Sequence, residues 1–173
     1  MSLSPLFTPD FSNPTRKAAA YNDLARQADA LFAGERDWIA NLAQFAALIY
    51  TQLPDLNWAG FYLAQGSTLV LGPFQGKVAC VRIPFDRGVC GACASSRTPQ
   101  IVPDVHAFAG HIACDAASAS ELVLPVTVAG RLRAVFDLDS PTLARFDQID
   151  AQAIGTMLTA LVRATDWGRV PDA

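Results

Sequence analysis

Apolar residues recur at helical spacing in three stretches of the chain. The first covers 15–34 and begins at Thr15, a residue type that caps helices. The second covers 38–54 and ends at a proline. The third covers 147–162, where Asp147 can cap the helix. These patterns predict two N-terminal helices and one C-terminal helix.

Between these stretches the apolar residues alternate with others, as they do in β-strands. The pattern predicts six strands, at 57–63, 68–72, 78–83, 100–102, 121–128 and 131–139. Cys80 lies in the third strand, and Cys90 lies near the start of a short helix predicted at 87–96. We therefore expect an α+β fold, in which a five- or six-stranded antiparallel sheet carries the N- and C-terminal helices on one face. The other face and its loops are left for a ligand.

The last two strands form a predicted hairpin, whose turn decides which side chains share a face. A three-residue turn pairs Thr127 with Arg131, so that Glu121 faces Asp137 directly and Asp139 lies on the same side. A two-residue turn would instead place Glu121 on the opposite face from both aspartates. We adopt the three-residue turn.

Composition limits the class of protein. The 173 residues suit one domain, and 13 Lys and Arg against 16 Asp and Glu, with no basic run, give no nucleic-acid footprint. The chain shows neither a secretory leader nor a membrane span, so a cytoplasmic protein is expected. In that compartment the four cysteines are better interpreted as metal ligands or reactive thiols than as a disulfide framework.

Cys114 is the strongest candidate nucleophile. It lies in a polar loop between His111 and Asp115 rather than in an apolar run, and a thiol reacts as its thiolate, which apolar burial disfavours. The alternative is that it fills the core as a small hydrophobe. A nucleophilic Cys114 would need a second thiol to resolve its oxidised form.

Two other cysteine chemistries are less well supported. Cys90 and Cys93 have the spacing of a dithiol redox motif, but the βαβ context of such motifs is absent. With His106, His111 and Cys114 they could bind zinc, yet the sequence contains only one paired ligand knuckle. We therefore expect no metal and no cofactor.

Carboxylates on one face of the hairpin suggest a binding pocket. Glu121, Asp137 and Asp139 would repel one another, which raises at least one pKa and holds a proton for acid catalysis. Trp58 and Tyr62 lie on one face of the first strand and would wall the pocket. Such a pocket suits a small ligand with an ammonium group and an apolar tail.

Seven segments of the chain resemble free methionine-(R)-sulfoxide reductases, which are stand-alone GAF-domain enzymes. The segments are GFYL at 60–63, LGPFQG at 71–76, RGVCG at 87–91, DVH at 104–106, GHIACD at 110–115, SELVLP at 120–125 and DLDS at 137–140. The resemblance implies a GAF-like fold, a homodimer, and a single domain at 15–165 between tails at 1–14 and 166–173. A GAF domain that only binds a small molecule or senses oxidation remains the alternative.

The resemblance also implies roles for the cysteines. Cys114 would attack the sulfoxide sulfur of free methionine-(R)-sulfoxide, release methionine and become a sulfenic acid. Cys80 or Cys90 would then form a disulfide with it, and thioredoxin would restore the thiols. Cys93 departs from the family pattern and is interpreted as incidental.

The same resemblance assigns the pocket. Glu121, Asp137 and Asp139 would bind the sulfoxide and amino groups, with one of them, Glu121 or Asp139, as the proton donor. Trp58 and Tyr62 would hold the methyl and thioether end of the substrate.

Overall fold

The computed structural model describes residues 9–110 and 116–170. The helices are α1 (Pro14–Phe32), α2 (Trp38–Gln52), α3 (Gly88–Ser96) and α4 (Gln148–Ala164), with short 3-10 helices at Val105–Ala107 and Trp167–Arg169. The strands are β1 (Trp58–Gln65), β2 (Thr68–Gly76), β3 (Arg82–Pro84), β4 (Gln100–Val102), β5 (Ser120–Val128) and β6 (Arg131–Ser140).

The strands form one antiparallel sheet in the order β3-β2-β1-β6-β5-β4. Apolar residues of α1, α2 and α4 pack on one face of the sheet with Ala59, Phe61 and Leu63. Residues of α3 pack on the other face with Trp58 and Tyr62. The predicted α+β architecture is therefore confirmed, as is the division of β1 into two faces.

The helix ends follow from local capping. Asp147 caps α4, and Asp150 completes the capping box. The predicted cap of α1 is wrong, because Asn13 rather than Thr15 occupies that position. The Asn13 side chain accepts a hydrogen bond from the amide of Arg16, and proline takes the first helical position.

A buried ionic cluster joins α1 to α4. The Lys17 ammonium lies 2.7 Å from Asp150, and the hydroxyl of Tyr21 donates a hydrogen bond to the same carboxylate. Arg145 approaches Asp150 from the loop before α4, at 3.5 Å. After α4, Trp167 and Val170 are buried against the helices, within the segment predicted as a tail.

The predicted strand at 78–83 is wrong in its first half. Only Arg82–Pro84 pairs with β2, so Cys80 lies in a loop before the strand. The β1–β2 pairing is irregular opposite this loop, between Gly60 and Tyr62. Pro73 of β2 lies there and has no N–H with which to extend the ladder. β2 itself continues to Gly76, beyond the predicted end at residue 72.

The predicted register of the β5–β6 hairpin is also wrong. The turn has two residues, Ala129 and Gly130, and both have positive φ, as type I′ turns require. A bulge then places the extra residue Arg133 in β6, between the pairs Val126–Ala134 and Thr127–Leu132. Between the bulge and the turn, the side chains of β6 therefore point to the opposite face from the one that simple alternation predicts. Leu132 therefore packs with the apolar residues between α3 and the sheet, among them Trp58, Tyr62 and Val89, which we call the α3 cluster.

Within the described ranges, none of the helices is long and apolar enough to cross a membrane.

Candidate active site

Three residues form a row across the centre of the sheet, on the face that carries α3. Asp139 of β6 pairs with Trp58 of β1 on one side and with Glu121 of β5 on the other. Asp137 lies two residues back along β6, opposite Gly60 of β1. Directly paired residues point to the same face. Glu121, Asp137 and Asp139 therefore share one face as predicted, although Glu121 faces Asp139 and not Asp137.

Burial controls the protonation of this cluster. Glu121 and Asp137 are each 6% exposed. Burial, followed by the charges of Asp137 and Asp139, raises the pKa of Glu121 well above its usual range. Burial also raises the pKa of Asp137 to about 6. The shift favours the protonated, neutral form of the Glu121 carboxyl group, which is the form that can act as a hydrogen-bond donor.

One atom of the cluster lacks a hydrogen-bond partner. The Asp137 carboxyl group is hydrogen-bonded to Cys90 and Glu121, but its Oδ1 atom is buried and has no hydrogen-bond partner among the described residues. Leaving a buried acceptor unpaired is unfavourable, and such atoms are rare in folded proteins. The vacant acceptor therefore suits a ligand with an N–H donor, such as an ammonium group.

The helix α3 brings two thiols over the acidic face. Cys90 Sγ donates to Glu121 Oε1 at 3.9 Å. Burial raises the pKa of Cys90 above its usual value, and the negative charges of Asp137 and Glu121 raise it further. The pKa of Cys93 rises to about 12, again mainly through burial. Both are free thiols that resist becoming thiolates.

An aromatic wall stands beside the carboxyl groups. The Trp58 ring stacks on Tyr62, with centroids 5.7 Å apart, and on Phe74, with centroids 5.3 Å apart. The indole lies against two glycines. A Cβ at Gly60 would lie 2.6 Å from Trp58 Cη2, and a Cβ at Gly76 would lie 2.7 Å from Trp58 Cδ1. Both glycines are thus required for the position of the indole.

Phe74 is the residue of this wall that the sequence analysis missed. Its strand was predicted to end at residue 72, whereas Phe74 pairs with Gly60. The sequence signal that could have found Phe74 is an aromatic residue opposite a glycine of the neighbouring strand, because the glycine leaves room for an aromatic ring. Burial raises the pKa of Tyr62, and Asp137 adds to the shift, so its hydroxyl remains a neutral donor.

Cys80 lies in the loop between β2 and β3. It is half-buried against the α3 cluster and is disulfide-bonded. The indole Nε1 of Trp58 donates to the carbonyl of Lys77 at the start of this loop, at 3.1 Å. This hydrogen bond attaches the loop to the aromatic wall. Cys114, predicted as the nucleophile, lies outside the described residues.

The zinc site that the sequence analysis considered and set aside would use Cys90, Cys93, His106, His111 and Cys114, of which the last two lie outside the described residues. Cys93 is buried and His106 is exposed on the 3-10 helix after β4. The ligand atoms of Cys90, Glu121 and Asp137 do lie within 4.8 Å of one another. That set could hold a metal ion, but protons on Glu121 and Cys90 would have to leave first.

Comparisons with known proteins show which family the chain belongs to. The GAF domain family model matches residues 39–166. A free methionine-R-sulfoxide reductase from Escherichia coli is 52% identical over 84% of this chain and 88% of its own length. The solved structure of free methionine-R-sulfoxide reductase from Neisseria meningitidis in complex with its substrate is 43% identical, with a TM-score of 0.83. That match covers 90% of this chain and 93% of the other.

A third similar protein has a different description. The crystal structure of a protein described as a GAF sensor, from Burkholderia vietnamiensis, is 52% identical, with a TM-score of 0.84. The match covers 90% of this chain and 99% of the Burkholderia vietnamiensis chain. Reductase and sensor descriptions thus occur among relatives of equal similarity, but two close relatives with curated names, from Escherichia coli and Saccharomyces cerevisiae, are called reductases. The chain therefore belongs to the free methionine-R-sulfoxide reductases of the GAF-domain family and is an oxidoreductase.

Proposed function

We propose that this chain reduces free L-methionine-(R)-sulfoxide to methionine on the acidic face of its sheet. The observation that carries the proposal is the buried pair of Glu121 and Asp137 beside the aromatic wall. Glu121 holds a proton that a sulfoxide oxygen can accept, and the vacant Asp137 Oδ1 suits the substrate ammonium. Trp58 and Tyr62 offer an apolar surface to the methyl and thioether end.

The first chemical step transfers oxygen to a cysteine. The Cys114 thiolate attacks the sulfoxide sulfur while Glu121, assisted by Asp139, protonates the sulfoxide oxygen. The oxygen passes to the cysteine, which becomes a sulfenic acid, and methionine leaves. The sulfoxide is thereby reduced by two electrons, and the cysteine is oxidised by two.

The second step forms a disulfide. We propose Cys80, rather than Cys90, as the thiol that attacks the sulfenic acid and releases water. Cys80 is half-buried and disulfide-bonded. Cys90 is a buried free thiol whose pKa is raised, so it forms the attacking thiolate less readily. A dithiol protein such as thioredoxin then reduces the disulfide and is itself oxidised.

Methionine release from free methionine-(R)-sulfoxide tests the proposal. Wild-type protein and Cys114→Ser are assayed in parallel with dithiothreitol as reductant. We expect many turnovers from the wild type and none from the variant. If the fully reduced wild type binds the sulfoxide stoichiometrically and releases no methionine, the chain is a sensor and the proposal is wrong.

A further inference from the structure

The loop of residues 77–81 carries two exposed valines, Val78 and Val81, one on each side of Cys80. Its ends are fixed, because Lys77 accepts a hydrogen bond from Trp58 and Val81 accepts one from the amide of Leu71, at 3.0 Å. Between these points Ala79 and Cys80 pack against the α3 cluster. Val78 and Val81 point outward and are 89% and 65% exposed.

The position of the two valines beside Cys80 distinguishes them from the other exposed apolar residues of the described surface. Three other large apolar side chains in the described ranges are exposed, and they are Leu31, Ile39 and Leu143. Those three belong to α1, α2 and the loop before α4, whereas Val78 and Val81 flank a disulfide-bonded residue. Single exposed apolar residues are common. An apolar pair held around a disulfide sulfur points to a partner that must reach that sulfur.

We propose that Val78 and Val81 are the docking contact for the dithiol protein that reduces the disulfide of Cys80. The inference rests on the proposed function and names the surface that its recycling step uses. A partner thiolate attacks Cys80 Sγ, forms a mixed disulfide with it and releases the other cysteine as a thiol. The partner's second thiol then displaces Cys80. The protein regains two thiols, and the partner becomes a disulfide.

The geometry explains why the contact must be beside Cys80. Thiol exchange requires the incoming sulfur to reach bonding distance of the attacked sulfur, so the partner surface around its dithiol covers the neighbours of Cys80. Because Cys80 is itself half-buried, a partner that reaches its sulfur contacts the exposed side chains beside it, and Val78 and Val81 are the apolar ones among these. A small dithiol reaches the same sulfur without this surface.

The test compares two reductants on a double variant, Val78→Ser with Val81→Ser. With thioredoxin, we expect the KM for thioredoxin to rise about fivefold or more, as when an apolar anchor is removed from an interface. With dithiothreitol, turnover and a single round of methionine release are expected to match the wild type. The control is Ile39→Ser with Leu143→Ser, which removes two exposed apolar side chains elsewhere and should leave the KM for thioredoxin unchanged.

Thiol titration of the oxidised protein during reduction gives a readout that does not depend on methionine. Slower reduction of the double variant by thioredoxin, with unchanged reduction by dithiothreitol, supports docking even if the wild type releases no methionine. Equal losses with both reductants would show that the valines serve folding or chemistry, and the proposal would be wrong. A lower sedimentation coefficient of the double variant would assign the valines to contact between two copies of the chain and would also overturn it.

Discussion

Glu121 and Asp139 face each other directly on neighbouring strands, and the thiol of Cys90 donates to the Glu121 carboxyl from the helix above. Two carboxyl groups in this position cannot both be charged without strong repulsion. Burial, together with the charges of Asp137 and Asp139, raises the pKa of Glu121 well above its usual range, which favours its protonated form. A carboxyl group whose protonated form is favoured beside a second carboxyl group is the arrangement that the proposed protonation of the sulfoxide oxygen uses.

Removing either carboxyl group should slow the reaction. We expect Glu121→Gln or Asp139→Asn to lower turnover by about 10²- to 10⁴-fold, the range of general acid catalysis. Asp29→Asn changes an exposed carboxylate of α1, against the other face of the sheet, and should have no effect. Steady-state methionine release measures all three. Wild-type rates in both site variants would exclude the acid role.

The two candidate resolving cysteines should behave differently. Cys80→Ser should still release one equivalent of methionine, because Cys114 is intact, and then fail to cycle with thioredoxin. Cys90→Ser should continue to cycle, because serine keeps a donor to Glu121. Quenched-flow release followed by steady-state assay separates the two phases. Normal cycling by Cys80→Ser would show that Cys90 or Cys93 can resolve the intermediate.

Gly60→Ala should disturb substrate binding through Trp58. The new Cβ would overlap the indole and the backbone of Phe74, and such overpacking costs about 1–3 kcal/mol of unfolding free energy. We expect a lower unfolding midpoint and a higher KM for the sulfoxide. Gly155→Ala is the matched control. Apart from its chain neighbours and the nearby backbone of its own helix, a Cβ at this position would have no atom within 4 Å, and alanine favours a helix over glycine by about 1 kcal/mol. An unchanged KM for Gly60→Ala would contradict the proposed role of the wall.

The raised pKa of Asp137 should appear in the pH dependence of stability. Its pKa rises from 3.8 to about 6 on folding, so the folded state binds more protons than the unfolded state between these values. The free energy of unfolding therefore falls as pH rises through this window. Asp137→Asn removes this contribution, and its stability relative to wild type should rise from pH 4 to pH 6. Urea unfolding across the window measures the difference, and parallel curves would contradict it.

Asp150 should be important for stability rather than for catalysis. Asp150→Asn leaves Lys17 and Arg145 partly uncompensated in a buried site, which costs about 3–5 kcal/mol. Asp10→Asn breaks an exposed pair with Arg16 and should change stability little. Urea unfolding compares the two variants. Equal stabilities would show that the buried cluster is not specially stabilising.

Much of the architecture follows from periodicity in the sequence. The alternation of Trp58 and Tyr62 with Phe61 assigned both faces of β1 correctly, because burial selects every second residue. Helical spacing and the Asp147 cap located α4. These features are local, so the sequence alone reports them.

The remaining features depend on non-local contacts. The bulge at Arg133 shifts the hairpin register, and Arg133 also donates to the carbonyls of Trp167 and Val170, far along the chain. The short β3 and the position of Phe74 depend on how β2 pairs with both of its neighbours. No pattern within β3 or β6 alone indicates such contacts. Glu121, Asp137 and Asp139 do share one face as predicted, although the predicted register of the hairpin was wrong.

The strand order has a consequence for the time at which the acidic face forms. β1 and β6 are adjacent in the sheet, yet all four other strands lie between them in sequence. During synthesis from the N-terminus, all four cysteines emerge before β6 brings Asp137 and Asp139 into place. Contacts of such long range form late and slowly. The thiols of the nascent chain are therefore exposed to the surrounding redox environment until the sheet buries Cys90 and Cys93. These two cysteines become protected only when β6 joins the sheet.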